Sequence, residues 1–182
     1  SGVVDAVLDN LRPELDFASK ATAKATLHLE GVKPVLTASF KPGGDVQEVK
    51  LPSPASGSQF CIETLNAHDG KAYAAIAELD LLDAKGASIP HQDWSIVYVD
   101  SEEKAAEDGS ASNAIDGQSA NFWHTSWKNG SPEHPHRLII DLGSETKIGG
   151  FRYTPRAGDN MPGRIKDYRI YTGKGLAVPV AE

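Results

Sequence analysis

The densest chemistry in the sequence runs from Asn113 to Trp127, NAIDGQSANFWHTSW. Asp116 followed by Gly117 suits a tight turn in which a carboxylate and backbone carbonyls converge. That is the all-oxygen setting in which a hard cation such as Ca²⁺ takes roughly six to eight ligands. The same residues also make a metal-free Asx turn, and the turn alone favours that simpler reading. Trp123-His-Thr-Ser-Trp127 follows directly. Aromatic rings on loops stack on the C–H faces of sugars, and histidine exchanges hydrogen bonds with hydroxyls. Trp123 reads as a core anchor at a strand start, Trp127 as an open stacking candidate. His124 is balanced between ligand contact and a satisfied structural histidine.

Arg156, after Pro155 at a strand end, is the other residue to single out. A planar guanidinium fork at a loop mouth matches vicinal hydroxyls or a carboxylate. Glu133-His134-Pro135-His136 invites a zinc reading, because two histidines one residue apart face one metal on an extended strand. With no HExxH and no cysteine partners, the pair reads as structural or exposed. Asp80, Asp83, Asp100, Glu102 and Glu103 offer carboxylates, yet nothing in their spacing sets two across a cleft as glycoside hydrolysis needs. Cys61 lacks a nucleophile-elbow setting and alternates within a strand as a small core residue.

The elements that must hold these residues are short strands. ATLHLEG, KPVLTASF, DVQEVKL, SQFCIETLNA, AAIAELDLLDA and WSIVYVD are broken by Pro-Gly-Gly at 42–44, Pro-Ser-Pro at 52–54 and His-Asp-Gly at 68–70. HRLIIDLG, TKIGGFRYTPR and IKDYRIYTG follow an aperiodic stretch over 102–136 that carries Phe122, Trp123 and Trp127. Residues 1–19 read as a leader or a short helix, with Pro13 spoiling the second half. Many short strands and little helix predict an all-β antiparallel sandwich.

Composition narrows the classes. The 182 residues carry 18 Lys and Arg against 25 Asp and Glu, a formal charge of -7. An acidic surface excludes non-specific binding to nucleic acid or an anionic membrane. A single cysteine excludes an intrachain disulfide framework. No apolar run reaches the roughly 18 residues of a membrane span. No signal peptide opens the chain, and Ser1-Gly2 reads as a remnant behind which a signal could have been cut.

From Trp94 to about Gly173 the motifs NAIDG, FWHT, IDLG, FRYTPR and GRIKDY occur in an order that resembles the discoidin, or coagulation factor 5/8 type C, superfamily. The nearest branch resembles the family 32 carbohydrate-binding modules of bacterial glycan-degrading enzymes. The resemblance implies a galactose-binding-domain-like jelly roll with a structural Ca²⁺ and a shallow ligand site on loops at one end. It implies Ca²⁺ ligands at Asn113, Asp116, Gln118 and Asn121 in the turn, with Ala77 and Glu78 from IAEL. It thereby reverses the preference for an empty turn. Family members more often carry Asp and Thr where this chain has Gln118 and Asn121. Sugar contacts carry over to His124, Arg156 and Asn160, with Tyr73 as the aromatic platform, to which Trp127 adds a stacking candidate read from the residues themselves. Pro162-Gly163 replaces the usual Asn-Gly.

The order of the pieces departs from the family. Residues near 32–82 look like the second half of such a module, yet precede the first half. One reading is a single sandwich over 20–182 whose halves arrive permuted, or are exchanged between chains. The other is the end of one module at 20–88 and the start of a second at 94–182, which would strand unpaired edges. The implied function is non-catalytic recognition of a galactose-type glycan (galactose, GalNAc or a related terminal sugar). The module would target a catalytic domain in the same polypeptide, secreted or at the cell surface of a bacterium, with neither nucleic acid nor membrane insertion. A discoidin-like protein- or lipid-binding adhesion domain is the alternative, and a complete hydrolase a third.

Overall fold

The computed structural model describes residues 25–180, so the leader or helix read over 1–19 lies outside the described residues. Among those residues the fold is all-β, with ten strands. They are β1 (Ala25–Leu27), β2 (Leu36–Ser39), β3 (Gln47–Thr64), β4 (Ala75–Ile76), β5 (Glu78–Leu82), β6 (Ser95–Val99), β7 (Trp123–His124), β8 (His136–Thr154), β9 (Asp167–Gly173) and β10 (Ala177–Pro179). A 3-10 turn, Ala111–Ile115, lies between β6 and β7. The main sheet runs β2-β9-β3-β8-β5, with β6 also on β8, and every pairing between strands is antiparallel.

Two strands are much longer than the sequence pattern predicts. β3 continues through Pro52-Ser53-Pro54, and β8 joins HRLIIDLG to TKIGGFRYTPR. The physical reason lies in the pairing, which slips between Lys50 and Ala55 and again between Gly57 and Gln59. A proline has no N–H for the ladder, so it is tolerated where the ladder is already interrupted by a bulge. Beyond these irregularities the two strands change neighbours. Thr64 to Gln59 and His136 to Asp141 lie with β9 and β6, whereas Gly150 to Thr154 lies with β5. The long strands thus serve both layers of the sandwich.

The pleat decides what is buried. Phe60, Ile62, Leu138, Ile140 and Ile170 point into one cluster with Leu79, Leu81, Phe151, Tyr153 and Trp123. Their sequence neighbours Cys61, Ile139 and Tyr171 point the other way, into a smaller cluster with Leu176 and Ala177. The β1–β10 ribbon contributes Ala25, Leu27 and Ala177 to that second face. Each fully buried large side chain contributes about 1.5–3 kcal/mol. Cys61 is buried, and burial pushes its thiol far above the usual range, which makes it inert packing.

Candidate functional site

At one end of the sandwich a very short ladder does the positioning. β4 pairs with β7, setting Ala75 opposite His124 and Ile76 opposite Trp123. Thr125 N–H donates to the Ala74 carbonyl at 3.0 Å, and the Ala74 N–H donates to Thr125 Oγ1 at 3.0 Å. Trp123 is fully buried, with Nε1 donating to the Ser101 carbonyl at 2.9 Å, so it anchors the loop to the core. Tyr73, just ahead of β4, comes to lie 5.6 Å from His124, ring to ring. On the other side Phe122 lies 6.3 Å from His124, and the Arg156 guanidinium sits 4.0 Å above the Phe122 ring. Glu107 closes the group. Its Oε2 is 3.7 Å from Arg156 Nη2, and its Oε1 accepts from Trp127 Nε1 at 3.0 Å.

His124 has a defined role in this cluster. Nδ1 lies 2.6 Å from the Thr125 carbonyl, which can only accept, so Nδ1 carries the proton and Nε2 is left to accept. Burial holds its pKa below the ordinary value, against the Thr125 carbonyl. The residue is only 2% exposed, so it offers one atom rather than a ring face. Trp127, at 39% exposure, offers a face. Tyr73, His124, Arg156 and Trp127 therefore gather in one place. Asn160 takes part in none of these contacts; it is exposed, with a left-handed φ of 50°.

Glu103 builds the scaffold beneath. It is 1% exposed, and Oε2 accepts from the N–H groups of Trp127 and Lys128, both at 2.8 Å. Oε1 accepts from Ala105 at 2.7 Å and Ala106 at 2.9 Å. These backbone donors hold its pKa down to about 2, those of Trp127 and Lys128 foremost. Gly109 packs between, exchanging backbone bonds with Glu103 and His124. A Cβ there would stand 2.9 Å from the Glu103 carbonyl oxygen and 3.0 Å from that of His124. Sequence reading placed Glu103 among free carboxylates and missed Glu107 altogether. Neither sits at a spacing that announces its partners, since Glu103 is bound to main chain 24 and 25 residues away.

A second constellation lies at the 3-10 turn. Asp116 Oδ1 accepts from the Gln118 N–H at 2.8 Å, and Oδ2 from Asn121 Nδ2 at 2.7 Å, with Gly117 at a φ of 78°. Asn113 braces the turn, its Nδ2 donating to the carbonyls of Asp108 (2.9 Å) and Phe122 (3.2 Å). Glu78, at the start of β5, is 6% exposed, and both its oxygens are buried without a hydrogen-bond partner; so is Asn121 Oδ1. Burial first, then Asp80, pushes the Glu78 carboxyl up to about 7, and Asp116 adds to the effect. Ala77 is buried beside it.

Glu78, Asp80 and His91 bring donor atoms within 4.8 Å of one another and form a possible metal-binding group. His91 was missed because it falls in no motif. Its Nδ1 lies 3.0 Å from the Ile115 carbonyl and its Nε2 3.1 Å from Asp80 Oδ1, while the ring stacks on Trp94 at 4.1 Å. With its nitrogens facing acceptors, the imidazole is a brace for the turn rather than a free ligand, and its pKa is raised, the Asp80 hydrogen bond foremost. The orphaned oxygens and the carboxylates crowded against them suit a hard cation.

The Glu133-His134-Pro135-His136 run does not assemble a zinc site. His136 lies 2.8 Å from Asp100 through Nδ1 and 2.7 Å from the Ala72 carbonyl through Nε2, which occupies both ring nitrogens. The remaining candidate carboxylates are tied locally. Asp83 accepts from the N–H groups of Lys85 and Ala87, and Glu102 accepts from that of Ala111 and pairs with Lys104.

Comparison with known proteins agrees with this architecture. Residues 98–175 match the family model of the F5/8 type C domain. A sialidase from Micromonospora viridifaciens is 49% identical over 79 residues, covering 43% of this chain and 12% of the sialidase. A galactose oxidase from Gibberella zeae is 32% identical over 101 residues, covering 53% of this chain and 14% of the oxidase. The chain thus spans only a small fraction of the relatives it matches. No helix among the described residues is long and apolar enough to cross a membrane. The F5/8 type C, or discoidin, match covers the segment that bears the motifs, and the antiparallel strands of that segment agree with a discoidin-like sandwich.

Proposed function

We propose that the chain is a non-catalytic carbohydrate-binding module for galactose-type glycans, part of a larger secreted glycan-acting polypeptide. The observation that carries the reading is the convergence of Tyr73, His124, Arg156 and Trp127, two aromatic faces beside one acceptor nitrogen and one guanidinium. A sugar offers a C–H face to a ring and hydroxyls to both polar groups. His124 Nε2 accepts from one hydroxyl, and the Arg156 fork donates to its neighbours. Glu107 holds Arg156 and Trp127 toward each other, and Asn160, on the loop after Arg156, is proposed as a further contact made only to the sugar. Three or four hydrogen bonds of about 1 kcal/mol each correspond to binding near the millimolar range. Such weak binding serves by raising the local concentration of an attached enzyme on its substrate. The sialidase and galactose oxidase relatives, each matched over a small part of its length, are in keeping with that arrangement. The main-chain hydrogen bonds that engage Asp83, Glu102 and Glu103 favour binding over turnover.

We take residues 20–182 as one sandwich with its halves in permuted order. The pairing of β3 and β5 with β8, and the placing of Tyr73 beside His124, support it. Ca²⁺ is the cation proposed at Glu78, Asp116 and Asn121, with backbone carbonyls from Ala77, Asn113 and Gln118. It would supply the positive charge that ionised Glu78 lacks and order the turn that leads into His124. Isothermal titration calorimetry with galactose, GalNAc and lactose tests the reading. Heat saturating at millimolar ligand is expected, and the absence of heat with any galactoside overturns the specificity.

A further inference from the structure

His136 is completely buried, and its surroundings are unusual. Nδ1 lies 2.8 Å from Asp100 Oδ2, and Nε2 lies 2.7 Å from the backbone carbonyl of Ala72. A carboxylate and a carbonyl both only accept, so both ring nitrogens carry protons and the ring is an imidazolium. Asp100 is held in turn, its Oδ1 accepting from the Arg137 N–H at 2.6 Å. Ala72 immediately precedes Tyr73, so His136 reaches from β8 to the loop that carries the aromatic platform.

We propose that His136 is a positioning residue for the loop-end site: its doubly protonated ring clasps the Ala72 carbonyl and keeps Tyr73 in place beside His124. The inference rests on the sugar-site reading only for its effect on binding; the clasp itself concerns the loop.

The groups around the ring are consistent with a charged state. From the residue just after β6 comes Asp100; from the chain before β8 come Glu133 and His134; the Tyr73 loop presents its backbone. Burial opposes the charge, but the Asp100 bond, the Ala72 carbonyl and the charges of Asp100 and Glu133 outweigh it and raise the pKa. His134 stands 4.6 Å away and stays neutral, its pKa lowered by burial and then by the charge of His136. Its Nδ1 donates to the Thr64 carbonyl at 3.2 Å.

As pH rises through that raised value, His136 gives up one proton. The bond to Asp100 is charge-assisted and is kept, so the proton leaves Nε2. A lone pair then faces the Ala72 carbonyl at hydrogen-bond distance, which is repulsive, and the loop is released. Asp100→Asn reverses the choice. The amide accepts from Arg137 through its one oxygen and donates to Nδ1, so a neutral ring keeps its Nε2–H on Ala72.

The test follows the backbone amides of Lys71, Tyr73 and Ala74 by NMR from about pH 6 to about pH 9, with lactose titrated at each pH. In the native protein the three amides are expected to shift together with the ring of His136. Lactose affinity should fall over the same range by roughly 3- to 10-fold, the worth of one hydrogen bond. In Asp100→Asn both should be flat. Loop amides that do not move in the native protein, or that titrate alike in the two proteins, overturn the proposal. The native titration decides it even if the variant fails to fold. Lactose that binds at no pH contradicts the sugar reading, while the loop amides still decide the clasp.

Discussion

In the proposed sugar site, His124 and Arg156 divide the recognition of hydroxyls between them, one accepting and the other donating. The division depends on a single proton. Because Nδ1 is committed to the Thr125 carbonyl, protonation of His124 must take place at Nε2, the atom reserved for ligand. Burial lowers that pKa, so the acceptor persists through neutral pH. Through His124, lactose affinity is expected to fall in acid, below the ordinary histidine value of about 6.5, a loss separate from the one predicted for His136 at higher pH. Glu103 separates this effect from collapse of the loops. Its contribution is present above the ordinary carboxylate value and is lost only as pH falls through about 2, so the loops survive where His124 titrates. An acid fall in affinity that coincides with unfolding by near-ultraviolet circular dichroism would contradict the assignment. Arg156→Ala removes charged donors and should weaken galactoside binding by roughly tenfold or more, read as Kd by calorimetry. An unchanged Kd would place the site elsewhere.

At the scale of elements, the site depends on two loops stitched to one buried carboxylate and on a ladder of two short strands. Gly109 makes the stitching possible, since its backbone passes close to Glu103 and His124. Gly109→Val is expected to lower the thermal midpoint, at about 1–3 kcal/mol for forced overpacking, and to weaken lactose binding as well. Loss of binding with stability untouched would show that the close approach is not what matters. This level was only partly legible in the sequence. Alternation in SQFCIET and HRLIID gave the strands and the two faces of Cys61 and Ile62, because a pleat repeats every two residues. Pro52-Ser53-Pro54 reads as a strand end, yet the strand passes through, because a slip in pairing is a property of two strands together. Trp123, His124 and Arg156 stood out by residue type. Glu103, Glu107 and His91 did not, because each acts through partners distant in sequence.

For the whole molecule, permutation and the cation bear on the same question of how the halves hold together. Tyr73, Ala77 and Glu78 precede the family-matched segment, whereas Asp116, His124 and Arg156 lie within it. Both proposed sites therefore draw on the two halves. Glu78 gives the cation a stability signature. A carboxyl whose pKa rises on folding, from 4.5 to about 7, costs the metal-free protein stability as pH passes through that window. Ca²⁺ is expected to raise the thermal midpoint at neutral pH. Glu78→Gln should abolish that rise while leaving the metal-free midpoint equal or higher, both read by calorimetric melting. A metal-free Glu78→Gln protein that melts lower would mean the carboxylate has a partner other than a cation.

The net charge of -7 disfavours non-specific binding of polyanions. The most direct test of one sugar site built from both halves is an NMR titration of the isotope-labelled chain with lactose. The amides of Tyr73, His124 and Arg156 are predicted to shift together and to saturate along one curve with a Kd in the millimolar range. Shifts confined to residues 98–175, with Tyr73 unmoved, or no shifts at all, would contradict the account.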